Sequence, residues 1–202
     1  LYLRALNACE EVLGAEHPNT VKCVNNLAVL YESQDRLDEA EPLFHKALKT
    51  SVDLLGPAHP ETLICMENLA NLLVNQDRID EAEPMLSQVL SGREEIFGPS
   101  DLETVKAANA LAELYSSQDR PADAEPLFYH VYQCALDALG PQDPQTVMMQ
   151  YSYAISLNEQ GKAAEALVEL EAVLAVELAL HGPESADLVM THWNLAKALR
   201  LL

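Results

Sequence analysis

The apolar residues of this sequence recur at the spacing of amphipathic helices. In one stretch Met66, Leu69, Ala70 and Leu73 stand at i, i+3, i+4 and i+7, which places them on one face of a helix. The next stretch carries a second stripe of the same kind, made of Ala82, Leu86, Val89 and Leu90. The two stripes predict a pair of helices that pack against each other, which we name helix A and helix B.

The paired pattern repeats every 42 residues. Glycines mark the period, at Gly14, Gly56, Gly98, Gly140 and Gly182. Between the two helices of a unit stands a Gln-Asp-Arg turn, which begins at Gln34, Gln76 and Gln118 and is replaced by Gln160-Gly161-Lys162 in the fourth copy. A fixed period of this size indicates a repeat architecture in which stacked units share one core.

Turn and cap residues predict where the helices begin and end. His17-Pro18, His59-Pro60 and Asp143-Pro144 mark the start of helix A, because Pro suits the first turn and an Asp side chain can accept from free N–H groups. Helix B is predicted to open with a capping box of the form Asp-x-x-Glu at Asp38 and at Asp80. It is predicted to end at the next glycine, in a left-handed conformation.

Alanines form two columns in register with the repeat. One column lies on helix A, at Ala28, Ala70, Ala112, Ala154 and Ala196, and the other on helix B, at Ala40, Ala82, Ala124 and Ala166. Small residues at such positions let two helices cross closely. Both columns are therefore predicted to be buried between paired helices.

These features resemble the tetratricopeptide repeat family. The resemblance is carried by the small and large positions Leu69, Ala70, Leu73, Ala82, Leu86 and Val89, with the aromatic residues Tyr31, Tyr115, Phe44 and Phe128. The 42-residue length and the linker over residues 56–62, Gly-Pro-Ala-His-Pro-Glu-Thr, resemble the kinesin light chain subgroup. The resemblance implies an all-α fold, a right-handed superhelical solenoid of antiparallel helix pairs with about ten helices.

In this register the whole chain, 1–202, is expected to be a single array. Residues 1–13 are assigned to helix B of a preceding repeat, and the four complete repeats to 18–56, 60–98, 102–140 and 144–182. Residues 186–202 are assigned to helix A of a truncated fifth repeat. The chain is therefore expected to be a fragment of a longer array, with apolar surface exposed at both ends.

Composition and charge narrow the range of partners. The chain has 32 acidic and 12 basic residues and a formal charge of −20, which argues against binding of nucleic acid. Its longest apolar runs, such as residues 69–74, are far shorter than the roughly 20 residues that cross a bilayer, so no membrane association is predicted. The four cysteines, Cys9, Cys23, Cys65 and Cys134, have neither disulfide-motif nor zinc-site spacing. Free thiols of this kind favour a reducing, cytoplasmic location.

No motif for catalysis is found. The sequence lacks a Gly-rich phosphate loop, a Gly-x-Ser-x-Gly turn and a His-Glu-x-x-His pair. Its six histidines do not recur together as metal ligands would. We therefore predict that the protein is not an enzyme and holds neither cofactor nor metal.

The family resemblance implies that the A helices line a concave groove that binds peptides. Carried onto this chain, the candidate peptide-binding residues are Lys22, Asn25, Glu67, Asn71, Lys106, Asn109, Met148, Tyr151, Ile155, Met190, Trp193 and Lys197. Asn25 and Asn109 are predicted to hold the ligand's backbone amide, since an amide side chain both donates and accepts. The alternative is that both merely hydrate an exposed face.

The C-terminal part of the predicted groove is apolar. Met148, Tyr151 and Trp193 are predicted to anchor apolar ligand side chains, or alternatively to pack against a following helix. Because Glu32 and Lys22 both belong to the groove, a neutral or mildly basic peptide with an apolar anchor is favoured over an acidic one.

The leading hypothesis is a protein–protein interaction scaffold that binds a peptide or protein in this groove. The alternative is a structural array that associates with itself through its exposed terminal repeats, or the sensor portion of a larger multidomain signalling protein.

Overall fold

The computed structural model describes residues 2–183, 185–186 and 188–202, without the side chains of Tyr2 and Ala5. The described chain consists of α-helices, turns and bends, with no strand. Ten helices follow in order: α1 (Tyr2–Leu13), α2 (Pro18–Ser33), α3 (Leu37–Leu55), α4 (Pro60–Asn75), α5 (Ile79–Phe97), α6 (Leu102–Ser117), α7 (Pro121–Leu139), α8 (Pro144–Glu159), α9 (Ala163–His181) and α10 (Leu188–Leu201). The prediction of an all-α repeat fold is confirmed.

The chain divides into two compact units, Leu1–Pro99 and Ser100–Leu202. The first unit contains α1 to α5 and the second contains α6 to α10. Within each unit every helix packs against the next one along the chain, as expected for helices joined by short turns. The assignment of residues 1–202 to one array of repeats stays a prediction.

The starts of α2, α4, α6 and α8 are fixed by a side-chain cap. The carboxylates of Asp101 and Asp143 accept hydrogen bonds from the backbone N–H two residues further on, at 2.9 and 2.8 Å. His17 and His59 make the same contact through Nδ1, at 3.1 and 3.2 Å. The predicted helix starts are therefore confirmed, and histidine serves as a cap that the sequence analysis did not anticipate.

The predicted capping box at the start of helix B is wrong. Helices α3 and α5 begin one residue earlier than Asp38 and Asp80, and their N-caps, Arg36 and Arg78, make no side-chain cap hydrogen bond. Asp38 and Asp80 therefore lie inside the first turn, where a carboxylate cannot act as the N-cap. They still place negative charge at the positive end of the helix dipole.

The turn between helix A and helix B depends on an aspartate in an unusual conformation. Asp35, Asp77 and Asp119 have φ of 59°, 61° and 57°, in the left-handed region that Asp tolerates better than most residues. In the fourth copy Gly161 takes the corresponding place with φ of 74°. This explains why glycine can replace aspartate there.

The periodic glycines stop helix B, although not in the left-handed helical region that the sequence analysis predicted. Gly56 has φ of 90° and ψ of 163°, and Gly98 is nearly identical with 88° and 163°. The positive φ is confirmed, but the large ψ lies in a region that only glycine adopts readily.

Replacing Gly56 with alanine is expected to lower the free energy of unfolding by about 2 kcal/mol, since the added Cβ strains the backbone. Apart from its own neighbours in the chain, no described atom lies within 4 Å of where that Cβ would stand, so crowding by the rest of the fold does not contribute. Urea denaturation measures the change. The control is Asp77→Gly, which keeps a positive φ and is expected to change stability by less than about 0.5 kcal/mol. Equal losses in both variants would contradict this account of the glycine.

The alanine columns form the contact between paired helices. Eight of the nine alanines, Ala28, Ala70, Ala112, Ala154, Ala40, Ala82, Ala124 and Ala166, have no exposed surface. The prediction is wrong for Ala196, which is exposed. The reason is that α10 packs against α9 and α8 through a different face, which buries Thr191, Asn194 and Ala198.

Candidate partner-binding site

In the first unit, helices α2 and α4 are joined side to side by polar contacts near both of their ends. Lys22 Nζ lies 2.8 Å from Glu61 Oε1, and Asn75 Nδ2 donates to Glu32 Oε1 at 2.9 Å. Burial raises the pKa of Glu32, and the hydrogen bond from Asn75 opposes that effect. The exposed side chains of α2 and α4 therefore belong to one surface, which we name the A-helix face.

A cavity of about 200 Å³ opens beside Asn25; we name it the first cavity. It is lined by α2, α4 and the end of α3, through Pro18, Val21, Lys22, Asn25, Asn26, Ser51, Leu54, Leu55, Glu61, Ile64 and Cys65. Leu54 and Ile64 are each 41% exposed. The first cavity thus has apolar side chains beside the ion pair of Lys22 and Glu61.

Asn25 is 6% exposed, and its Oδ1 accepts no hydrogen bond within the described part of the chain. Buried amide oxygens are nearly always paired, because an unpaired one loses its hydration without compensation. The Asn25 side chain also lines the first cavity, so a rotation of the amide would present this oxygen to an N–H or O–H group of a ligand.

The second unit contains a cavity of about 180 Å³ in the same register, which we name the second cavity. Its lining residues are Pro144, Val147, Met148, Tyr151, Glu177, Leu180 and His181, each three repeat lengths after a residue of the first cavity. Tyr151 stands where Asn25 stands in the first unit, and its hydroxyl accepts from Asn194 Nδ2 at 2.8 Å. Burial raises the pKa of Tyr151. The second cavity is consequently more apolar, with Met148 in the place of Lys22.

In the second repeat the corresponding positions hold an ion pair instead. Arg93 Nη1 and Nη2 donate to Glu67 Oε1 and Oε2 at 2.8 and 2.7 Å. The Arg93 side chain is only 3% exposed and that of Glu67 is 20% exposed. Glu67, which the sequence analysis assigned to the groove, is therefore already engaged by a residue of helix B.

The remaining candidates of the second and third repeats differ in whether their side chains already have a partner. Asn71 is exposed. Lys106 forms an ion pair with Glu103 at 2.7 Å. Asn109 Nδ2 donates to Glu113 Oε1 of its own helix at 2.8 Å. Asn25 and Asn109 thus occupy equivalent positions but different environments.

The predicted apolar anchors are mostly accessible. Met148, Met190 and Trp193 are 54%, 58% and 59% exposed, whereas Ile155 is half-buried. Lys197 Nζ lies 5.9 Å from the centre of the Trp193 ring. A cavity of about 270 Å³ lies along α10 between Trp193 and Leu201.

Sequence reasoning missed the contribution of helix B to the first cavity. It drew candidates from helix A alone, whereas Ser51 and Leu54 come from α3. A signal was present, because the small Ser51 stands where the next repeat has the large Arg93.

No group of three or more His, Cys, Asp and Glu side chains in the described part of the chain is placed to hold a metal ion. Among the helices searched, none is both long and apolar enough to cross a membrane.

Each unit consists of paired helices, and the first unit has an A-helix face shared by two of them. These features define an α-helical repeat protein of the scaffold class. The sequence profile described as Tetratricopeptide repeat matches residues 1–50, 23–95 and 66–137. The chain therefore belongs to the tetratricopeptide repeat (TPR) family. No curated protein matches the sequence significantly.

Solved structures with a similar fold include kinesin light chain-like TPR proteins. The nearly identical TPR-like repeats of a kinesin light chain candidate from Podosopora anserina share 22% identity, with a TM-score of 0.77 over 92% of this chain and 88% of that one. BtubC (BKLC) from P. vanneervenii shares 20% identity, with a TM-score of 0.73 over 99% and 81%. YrrB, a TPR protein with an unusual peptide-binding site, shares 18% identity, with a TM-score of 0.60 over 96% and 90%. Family and fold together support a protein–protein interaction scaffold.

Proposed function

We propose that the chain binds a peptide segment of a partner protein on the A-helix face, with the first cavity as the anchor site. The observation that carries this proposal is the buried, unpaired Oδ1 of Asn25, a residue whose side chain lines an open cavity. A polar hydrogen of the ligand would satisfy this oxygen, while Leu54 and Ile64 cover apolar atoms.

The chemistry of both cavities favours a neutral or mildly basic peptide with an apolar anchor. The net charge of −20 repels acidic ligands, and Lys22 is already paired with Glu61. Met148 and Leu180 of the second cavity suit an apolar side chain. We also propose a cytoplasmic location, on the basis of the free cysteines.

A phage-displayed library of random peptides, selected on the whole 202-residue chain, tests the proposal. The dissociation constants of selected peptides are then measured by fluorescence anisotropy. Asn25→Leu keeps the side-chain size but removes the acceptor, and is expected to weaken binding about tenfold, the equivalent of one hydrogen bond. Its thermal stability is expected to be unchanged or higher, because the variant no longer buries an unpaired oxygen.

The matched controls are Lys49→Ala and Glu171→Ala, which alter exposed residues of helix B. Both controls are expected to bind the peptides as tightly as the unaltered chain does. Tyr151→Ala is expected to weaken the binding of peptides that use the second cavity. If the selected peptides bind to Asn25→Leu and to Tyr151→Ala as tightly as they bind to the unaltered chain, the two cavities are not the binding site.

Self-association is the second candidate function. Leu199, Leu201 and Leu202 are 63%, 53% and 74% exposed near the end of the chain, so a second copy could cover them. At the other end, where apolar surface is also predicted, Leu1 lies outside the described residues. Light scattering over a range of concentrations tests this alternative: a dimer that disappears in the Leu199→Ser, Leu202→Ser double variant supports it, and a monomer at every concentration excludes it.

A further inference from the structure

Two cysteines meet where α1 packs against α2. Cys9 Sγ and Cys23 Sγ are 3.3 Å apart, and both residues are half-buried. A disulfide has a sulfur–sulfur distance of about 2.05 Å, so bond formation requires the sulfurs to approach by about 1.2 Å. Small side-chain rotations can supply such a movement.

The repeat explains why these sulfurs are neighbours. Cys9 and Cys23 are 14 residues apart, as are Ser51 and Cys65 one repeat later, and Glu177 and Thr191 near the end of the chain. Ser51 and Cys65 both line the first cavity, and Thr191 donates to Glu177 at 2.8 Å. The packing of helix B against the following helix A therefore brings these two positions together at three separate sites.

We propose that Cys9 and Cys23 form a reversible disulfide, with a low-molecular-weight disulfide such as glutathione disulfide as the oxidant. One thiolate attacks the oxidant, forms a mixed disulfide and releases one glutathione. The second thiolate then attacks the protein sulfur of that mixed disulfide and releases the second glutathione. The two cysteines together lose two protons and two electrons, and the oxidant takes up both.

The other two cysteines do not share this arrangement. Burial raises the pKa of the Cys65 thiol to about 11, and its register partner is a serine. Cys134 Sγ contacts His130 Nε2 at 3.7 Å. Burial also raises the pKa of Cys23, but Cys65 is only 4% exposed, so an oxidant cannot reach it easily and it is a natural internal control for a buried thiol.

The disulfide would attach α1 covalently to α2. Besides the thiols, α1 is held by Leu6, which packs in the core cluster with Val21 and Val24, and by the ion pair of Glu10 with Lys46 at 3.2 Å. Because Cys23 adjoins Lys22 of the first cavity, oxidation would fix the helix that carries part of the proposed binding surface.

Intact-mass spectrometry of the whole chain, incubated with a large excess of glutathione disulfide over glutathione and then alkylated, tests the proposal. We expect a species that carries two alkyl groups instead of four and whose proteolytic map links Cys9 to Cys23. It should form about tenfold faster in the folded chain than in guanidinium chloride, since the fold holds the sulfurs together. Excess dithiothreitol should restore the original mass.

The Cys65→Ser, Cys134→Ser double variant should behave like the unaltered chain. Cys9→Ser should lose the internal link and carry glutathione on Cys23 instead, and circular dichroism verifies that it remains helical. The proposal is overturned if the unaltered chain yields only glutathione adducts on Cys9 and Cys23, or if the link forms equally fast in denaturant. Neither result depends on peptide binding, so the outcome is independent of the proposed function.

Discussion

Replacing Arg93 with alanine is expected to lower the free energy of unfolding by about 3 kcal/mol, because it leaves a largely buried carboxylate without its partner. The Arg93 guanidinium makes two hydrogen bonds with Glu67, and its side chain is 3% exposed. Desolvation of both charges has already been offset by this pairing, so removal of one partner exposes the full penalty of burying the other. Urea denaturation followed by circular dichroism gives the free energy.

Two further variants separate this effect from a simple loss of side-chain contacts. The double variant Glu67→Leu, Arg93→Met removes both charges and is expected to recover most of the stability. Arg36→Ala breaks the exposed ion pair with Glu39, whose side chains are 44% and 54% exposed, and should have a much smaller effect. A loss in the double variant as large as that in Arg93→Ala would show that packing, rather than charge, is responsible.

Replacing Ala70 with leucine is expected to lower the free energy of unfolding by about 3 kcal/mol through overpacking. Ala70 has no exposed surface, and it belongs to the column at which helix A meets its neighbours. Three additional carbon atoms can be accommodated only if the helices separate or side chains leave their preferred rotamers. Thermal and urea denaturation, together with the near-ultraviolet spectrum, measure both the loss and the change in packing.

Ala196→Leu is the matched control, since it makes the same substitution at the equivalent position of α10. Ala196 is exposed, and a change within about 0.5 kcal/mol is expected there. A similar loss at both sites would mean that helix propensity or solubility, and not overpacking, determines the result at Ala70.

Most of the fold could be predicted from sequence because its determinants are local and repeated. Glycine at a fixed interval and Pro in the first turn act within a few residues of where they stand, so a single reading of the chain locates the helices. The start of helix B was misplaced by one residue, since Asp38 resembles a cap only if Arg36 and Leu37 are ignored. Ala196 was misassigned because burial depends on which helix covers a face, and no local pattern reports that.

The candidate site was predictable only in part. The register identified Asn25 and Tyr151 as equivalent positions, and both line cavities. The neutralisation of Glu67 could not be foreseen, because Arg93 lies 26 residues away on the next helix. Nor could the unpaired state of the buried Asn25 oxygen, because it depends on which side chains of other helices lie around it.

The glycine that ends each helix B constrains how such a chain can diverge. Gly182 keeps a positive φ of 77°, near the 86° of Gly140, although its own repeat, the fourth, has lost the Gln-Asp-Arg turn between its two helices. Since other residues are strained in that conformation, substitutions on the surface of a repeat are tolerated far more easily than replacement of the glycine that ends helix B. Repeat length is therefore inherited more faithfully than repeat chemistry, and binding specificity can change while the spacing of the helices stays the same.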